Sequence, residues 1–189
     1  MATKAWLARA SELLAASLAP VPHEVNELDW KAGLSPSRER LVEHLSAFAN
    51  HAGGGFLVFG IDNATARLSG IDQRQVAEIT NMLANLGRDG LEPALAIDHG
   101  VVEHAGVPLL FVHVPEQGSR PVHKRGKSIE ESWVRSGGTT RKASRQELAG
   151  LLLGWLYIRH LLRHGRLWGG APPMSPDQAD NMLLWTTLG

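Results

Sequence analysis

The spacing of hydrophobic residues changes within a short central stretch of the chain. Over residues 41–52 the apolar side chains recur every three or four positions, which predicts an amphipathic helix. Residues 56–59 are continuously apolar and mostly aromatic or β-branched, a pattern typical of a strand buried on both faces. Three consecutive glycines, residues 53–55, lie between them and allow a sharp turn. The sequence therefore predicts a helix, a glycine turn and a buried strand at the centre of the domain.

Side-chain capping signals place the start of the other helices. In each signal a short polar residue precedes a proline, or lies three positions before a glutamine or glutamate, and so satisfies the free amides of a first helical turn. The three signals are Ser35 before Pro36, Asp72 with Gln75, and Ser144 with Glu147. We expect the second of these helices to end at Gly87 and the third to cover residues 145–164. The third is apolar around most of its circumference, so we expect it to pack on the sheet or on a second copy of the chain.

Four other segments have the alternation or the turn boundaries that are typical of strands. They are residues 23–31, 94–103, 108–114 and 131–135. Between them, residues 63–70 have the composition of a hairpin turn with a short return strand. Glycine, proline and Asp-His-Gly turns bound the last three segments, so we expect these to pair into one sheet. The expected fold is α+β, with one mixed, mainly antiparallel β-sheet and helices packed on it.

The chain is expected to divide into three parts. Residues 1–20 predict an amphipathic helix, residues 21–165 the main domain, and residues 166–189 a linker with a short helix whose apolar side chains need a partner. The last part either docks on the main domain or continues into a longer protein. Charged residues interrupt the N-terminal apolar run, and no run approaches the roughly 18 residues that span a bilayer. We therefore expect a cytoplasmic protein without a membrane segment.

The composition excludes several kinds of chemistry. The chain has 189 residues, of which 43% are apolar, as expected of a folded protein. Nineteen basic residues balance 19 acidic ones, so binding of a polyanion must depend on local clusters of charge. The absence of cysteine excludes disulfides, thiolate zinc sites and cysteine nucleophiles. The Walker pattern of P-loop nucleotide sites is also absent, which argues against ATP hydrolysis of that type.

Three acidic residues are candidates for a shared metal site. Glu24 and Asp29 lie in the first predicted strand, and Asp62 follows the buried strand. Their carboxylates are the ligands that Mg²⁺ or Mn²⁺ prefers, and such an ion activates water against a phosphodiester, with Lys31 placed to hold a phosphate. Residues five apart in a strand point to opposite faces, so this convergence requires a bulge or a twist. The alternative is a set of solvated surface acids that form salt bridges.

Positive charge is concentrated between residues 120 and 142. Lys124, Arg135, Arg141 and Lys142 lie there among glycines and near a tryptophan, a combination suited to contact with a DNA or RNA backbone. Two glutamates interrupt these cations, so a solvated, charged loop is an equally good interpretation of the same residues.

The glycine turn also has two interpretations. The amides of Gly53 and Gly54 would suit a phosphate, but no known nucleotide-binding glycine pattern surrounds them. Asn50 stands at the end of the preceding helix, and we expect it to cap the last carbonyl groups of that helix rather than to contact a substrate.

Several segments occur together in the order seen in a known family. They are EVNELDWK at residues 24–31, SAFANHAGG at 46–54, FGID at 59–62, PVH at 121–123 and WVRSGGTTRKAS at 133–144. Over residues 24–148 the chain thereby resembles the Schlafen-type AlbA-like domain, also called divergent AAA or RecG-related. The resemblance implies an α+β domain that binds nucleic acid, found in bacterial transcriptional regulators and helicase-related proteins.

The same resemblance carries an implication for the acids. In the animal relatives, two glutamates and an aspartate form a metal-dependent ribonuclease centre, which by position implies Glu24, Asp29 and Asp62 in this chain. The middle acid is an aspartate here, so its side chain is shorter than the glutamate of those relatives.

Three hypotheses of different classes follow. The first is a nucleic-acid-binding domain of regulatory type, in which Lys31, Lys124, Arg135, Arg141 and Lys142 contact the phosphates of DNA or RNA. The second is an endoribonuclease that uses the three acids with Mg²⁺ or Mn²⁺. The third is an assembly module that forms a homo-oligomer through the apolar C-terminal helix.

Overall fold

The structure, a computed structural model, describes residues 4–164. The elements of this part of the chain are α1 (Ala5–Leu18), β1 (Leu28–Lys31), α2 (Arg38–Asn50), β2 (Gly55–Phe59), α3 (Gln73–Asp89), β3 (Leu91–Glu92), β4 (Asp98–His104), β5 (Val107–Val114), β6 (His123–Lys124), β7 (Trp133–Ser136), β8 (Thr139–Lys142) and α4 (Arg145–His164). The linker and short helix predicted for residues 166–189 lie outside the described residues. None of the helices described here is both long and apolar enough to cross a membrane.

Four strands form the central sheet, in the order β1, β2, β5, β4. β1 runs parallel to β2, with α2 as the crossover between them, whereas β5 is antiparallel to both of its neighbours. The sheet is mixed and mainly antiparallel, and the predicted α+β fold is confirmed. Two smaller pairs, β3 with β6 and β7 with β8, lie outside this sheet.

Side-chain alternation in β2 divides the core between the two faces of the sheet. Leu57 and Phe59 point to the face covered by α2 and α3, whereas Phe56 and Val58 point to the face where α1 packs through Leu14. All of β2 is buried, as its apolar run predicted. Because burial of a phenylalanine side chain is worth about 2 kcal/mol, this strand is a main source of stability.

Two of the three capping signals are confirmed and one is displaced. The boxes of Asp72 with Gln75 and of Ser144 with Glu147 both form, and they open α3 and α4. The N-cap of α2 is Ser37 rather than Ser35, because the Ser37 hydroxyl accepts the amide hydrogen bond of Arg40 at 3.2 Å. The capping chemistry was predicted correctly, but its register in α2 was wrong.

Gly87 does not end α3, as the sequence predicted. The helix continues to Asp89, and Gly90 is its C-cap. A Cβ at position 87 would lie 2.6 Å from the carbonyl oxygen of Leu95, so the absence of a side chain allows a later segment to cross the helix closely. A tertiary contact therefore explains this glycine.

Four predicted strands also differ from the structure. The strand predicted over residues 94–103 begins only at Asp98, as β4. The first predicted strand is shorter than residues 23–31, since the chain turns back between Val25 and Leu28 before β1 begins. Residues 131–135 contribute β7, which pairs with β8 and not with the central sheet. The return strand predicted in residues 63–70 is reduced to a single bridge with Ile61.

Candidate functional site

A tight turn before β1 brings Glu24 and Asp29 together. The bridge between Val25 and Leu28 reverses the chain, so Glu24 precedes the strand and is not subject to its alternation of faces. Asp29 lies in β1 with its side chain fully buried on the α2 side of the sheet. The alternation of side chains along a strand therefore does not place these two acids on opposite faces.

Three cationic or polar side chains surround the Asp29 carboxylate. Lys31 Nζ lies 2.8 Å from Asp29 Oδ1, while His44 Nδ1 and Arg135 Nη1 lie 3.2 Å and 3.8 Å from Asp29 Oδ2. Glu24 Oε2 lies 4.0 Å from Arg135 Nη2. The site is thus a compact cluster of two carboxyl groups, two cations and an imidazole.

Arg135 is the centre of this cluster and is not available to a phosphate. Its side chain is 1% exposed and donates hydrogen bonds to the carbonyl oxygens of residues 25, 26 and 28 at 3.0 Å, 3.2 Å and 3.4 Å. The guanidinium also lies 4.8 Å from the centre of the Phe48 ring. The prediction that Arg135 contacts nucleic acid is wrong, because the turn before β1 occupies its donors.

A short hairpin delivers Arg135 to this position. Gly137 and Gly138, both at positive φ, form the two-residue turn between β7 and β8, and Arg135 faces Thr140 across the strands. A Cβ on Gly138 would lie 2.5 Å from the carbonyl oxygen of Glu24, so the hairpin tip contacts the turn directly. The Gly-Gly pair was a sequence signal for β8 that the strand prediction missed.

Thr140 links Arg135 to the imidazole of His44. Arg135 Nη1 donates to Thr140 Oγ1 at 3.2 Å, and Thr140 Oγ1 lies 3.0 Å from His44 Nδ1. Burial lowers the pKa of His44 to about 4. The imidazole is therefore neutral at pH 7. His44 and Thr140 had no recognisable sequence signal, because neither belongs to a spaced motif.

The carboxyl groups of Glu24 and Asp29 differ in how readily they ionise. Burial, together with the hydrogen bond to Asp29, raises the pKa of Glu24 from 4.5 to about 7. Burial opposes ionisation of Asp29 as well, but the hydrogen bond from Glu24 and the charge of Lys31 hold the pKa of Asp29 below its ordinary value. Asp29 is thus the acid that ionises more readily, and its Oδ2 has no hydrogen-bond partner among the described residues.

Asp62 does not join the other two acids. It lies beyond the C-terminal end of β2 and accepts hydrogen bonds from the Ala64 amide at 3.1 Å and from the Thr65 amide and hydroxyl at 2.8 Å and 2.7 Å. Among the side chains that the structure describes, no group of three histidine or acidic residues is arranged to hold a metal ion. The expected three-carboxylate arrangement is therefore not formed, because Asp62 is occupied in its own turn.

The glycine turn has a structural use that replaces the predicted phosphate contact. The amide of Gly53 donates to Glu116 Oε2 at 2.8 Å, so it already has an anionic partner. Gly54 has a φ of 73°, and a Cβ there would lie 2.3 Å from the carbonyl oxygen of Val114. The turn lets the chain pass against the end of β5.

Asn50 binds distant backbone rather than the end of its own helix. Its side-chain amide donates to the carbonyl oxygens of Val122 and Trp133 at 2.9 Å and 3.0 Å, and its Oδ1 accepts from the Val122 amide at 2.7 Å. The side chain is buried, and the predicted capping role is wrong. Asn50 instead fixes β6 and β7 on α2, which positions the hairpin that carries Arg135.

The other predicted cations are exposed or half-buried, and each has a carboxylate partner. Lys124 pairs with Glu39, Arg141 with Glu147, Lys142 with Glu131, and Lys31 with Asp29. Exposed Arg38, Arg125 and Lys127 lie near them in sequence. We call the surface formed by α2, β6 and β8 the cationic face; it lies on the opposite side of the sheet from α1.

Solved structures and curated proteins resemble the chain to different extents. A protein from Corynebacterium diphtheriae matches with a TM-score of 0.49 and 19% identity, over 85% of this chain and 32% of that one. The N-terminal domain of a RecG-related protein from Nitrosomonas europaea matches with a TM-score of 0.49 and 24% identity, over 71% of this chain and 92% of that one. Similarities of this size do not assign a function.

Curated relatives match a short segment only. The phosphatidylglycerol–prolipoprotein diacylglyceryl transferases of Bradyrhizobium diazoefficiens and Rhodopseudomonas palustris are 52% and 50% identical to this chain over 42 residues. That segment is 22% of this chain and 15% of each transferase. The chain thus spans a small part of the curated relatives that it matches.

The family model described as Schlafen, AlbA_2 matches residues 24–144, which is more than half of the chain. This range includes the acid pair, Asn50, the glycine turn and the hairpin of Arg135. The chain belongs to the Schlafen AlbA_2 family.

Proposed function

We propose that this chain is a nucleic-acid-binding domain of a bacterial transcriptional regulator or helicase-related protein, and that the cationic face contacts the phosphates. Membership of the Schlafen AlbA_2 family carries the proposal. The exposed lysines and arginines of the cationic face support it, since contact with phosphates supplies most of the affinity of such domains. Both DNA and RNA are candidate ligands.

The ion pairs of the cationic face predict which acidic residues weaken the binding of phosphate. Glu131 pairs with Lys142 and also acts on the charge of Lys124, which itself pairs with Glu39. A phosphate must therefore compete with these carboxylates for the lysines. Removal of Glu131 would free Lys142 and reduce the negative charge near Lys124, and so strengthen binding of a polyanion.

Fluorescence anisotropy with a labelled RNA hairpin and a labelled DNA duplex tests the proposal. We expect Glu131→Gln to tighten binding several-fold and Lys142→Ala to weaken it. On duplex DNA, the slope of log K against log salt should fall by about 0.9 for each phosphate that the variant no longer neutralises. Binding by wild-type protein to one polymer and not the other would identify the ligand.

Two variants on α1 serve as matched controls. Glu12→Gln and Arg9→Ala make similar changes in charge at exposed positions on the opposite side of the sheet. We expect both to bind like the wild type. Equal effects from the two sides, or no binding of either polymer at low salt, would show that the cationic face is not a nucleic-acid site.

A further inference from the structure

β4 has one unpaired side in the part of the chain that the structure describes. It pairs with β5 on one side only and forms an edge of the central sheet. Val101, at the middle of the strand, is 50% exposed. An edge strand of seven residues with an exposed apolar centre is a template for pairing with another strand.

The hydrogen bonds of His99 identify the backbone groups at the free edge. Its amide donates to Asp98 Oδ1 at 2.8 Å, and its carbonyl accepts from Lys4 Nζ at 2.7 Å, so neither group bonds to β5. Outward and inward groups alternate along an antiparallel strand, so the backbone groups of Val101 and Glu103 also point outward. The two-residue turn after His104 agrees with this phase, since a turn of that kind closes on a bonded pair.

We propose that β4 pairs antiparallel with β4 of a second copy of this chain, with Val101 opposite Val101 on the two-fold axis. This register joins outward groups to outward groups. It also places His99 opposite Glu103 and Asp98 opposite His104, in both symmetric halves of the pair. The sequence DHGVVEH is thus complementary to itself when it is reversed.

Other registers lose this complementarity. A shift of two residues, the smallest that keeps outward groups together, places Val101 opposite Glu103 or opposite His99. Both pairs between histidine and carboxylate are then broken. The side chains that lie opposite one another therefore favour a single register. Because the strand is complementary to itself in that register, the partner strand is β4 of a second copy.

Two groups must leave the edge before the strands can pair. The ammonium group of Lys4 pairs with Asp98 and covers the carbonyl of His99, and Asp98 Oδ1 accepts the His99 amide; the second copy would use both of these backbone groups. The Lys4 side chain is 42% exposed, so it can leave the edge without opening the core. A lysine at an edge strand commonly limits such pairing, and we therefore expect the dimer to be weak in the presence of Lys4.

Sedimentation equilibrium of the full chain tests the proposal, at concentrations from about 10 μM to about 1 mM, the range of weak interfaces. We expect a monomer–dimer equilibrium that Lys4→Ala shifts several-fold towards the dimer. Val101→Lys should weaken association by about tenfold or more, because two ammonium groups would meet on the axis. Val21→Lys is the matched control, since Val21 is 70% exposed and lies outside the strands.

A charge exchange keeps the test decisive if Val101→Lys fails to fold. Glu103→His should weaken the dimer, and the double variant His99→Glu with Glu103→His should restore it, because the opposite pairs are then rebuilt with exchanged positions. A monomer throughout the concentration range would overturn the proposal. So would a dimer that all these variants leave unchanged, since that result would place the contact on another surface such as α4.

Discussion

Replacement of Arg135 by alanine tests whether this arginine stabilises the fold or binds a ligand. In the wild type the guanidinium donates to three carbonyl oxygens of the turn before β1 and to Thr140, and it lies between the carboxyl groups of Glu24 and Asp29. The variant would deprive these acceptors of the guanidinium donors and leave the buried Asp29 charge with less compensation. We therefore expect a loss of stability and no specific loss of phosphate contact.

The structure sets the size of that loss. Breaking a buried ion pair by removing one partner costs about 3–5 kcal/mol. The side chain of Glu24 is 30% exposed and can be hydrated, so we expect the lower end of this range, about 3 kcal/mol. For a protein of this size such a loss lowers Tm by about 6–12 °C.

Urea unfolding followed by circular dichroism measures the effect, with two arginine variants for comparison. Arg135→Lys should lose less than Arg135→Ala but still be destabilised, because one ammonium group cannot reproduce the fork of the guanidinium. Arg141→Ala should cost no more than about 1 kcal/mol, since Arg141 pairs with Glu147 at the surface. The reasoning is refuted if Arg135→Ala unfolds like the wild type but lowers the salt dependence of nucleic-acid binding.

Two further predictions concern the carboxyl pair and the glycine turn. Because the folded-state pKa of Glu24 is raised from 4.5 to about 7, its contribution to stability is complete below pH 4.5 and is lost as the pH rises to about 7. Glu24→Gln cannot ionise, so urea unfolding should show this variant gaining on the wild type by up to about 2 kcal/mol between those pH values; a constant difference would contradict the raised pKa of Glu24. Gly54→Ala should cost at least about 3 kcal/mol, because its Cβ would meet the Val114 carbonyl at 2.3 Å, whereas Gly53→Ala meets nothing within 4 Å and should cost about 1 kcal/mol. Equal costs in thermal unfolding would show that positive φ alone explains the pair.

The sequence alone determined most of the local structure. The capping boxes at Asp72 and Ser144 join residues three positions apart, and the buried strand β2 is a continuous apolar run, so both signals are complete within a few residues. Element type and the α+β class follow from such signals, because the period of the apolar residues decides which faces are buried. The ordered motifs from residue 24 to residue 144 also placed the chain correctly in its family.

Tertiary structure decided what the polar residues do. The partners of Arg135 in the turn lie about 110 positions away in the sequence, and those of Asn50 lie 72 and 83 positions away. A sequence shows the charge of an arginine but not which distant carbonyl groups will remove it from water. The same limit applies to Asp62, whose separation from Asp29 depends on how the turns around β1 and β2 are closed. Burial, rather than residue type, assigned Arg135 to the core and left the lysines of the cationic face at the surface.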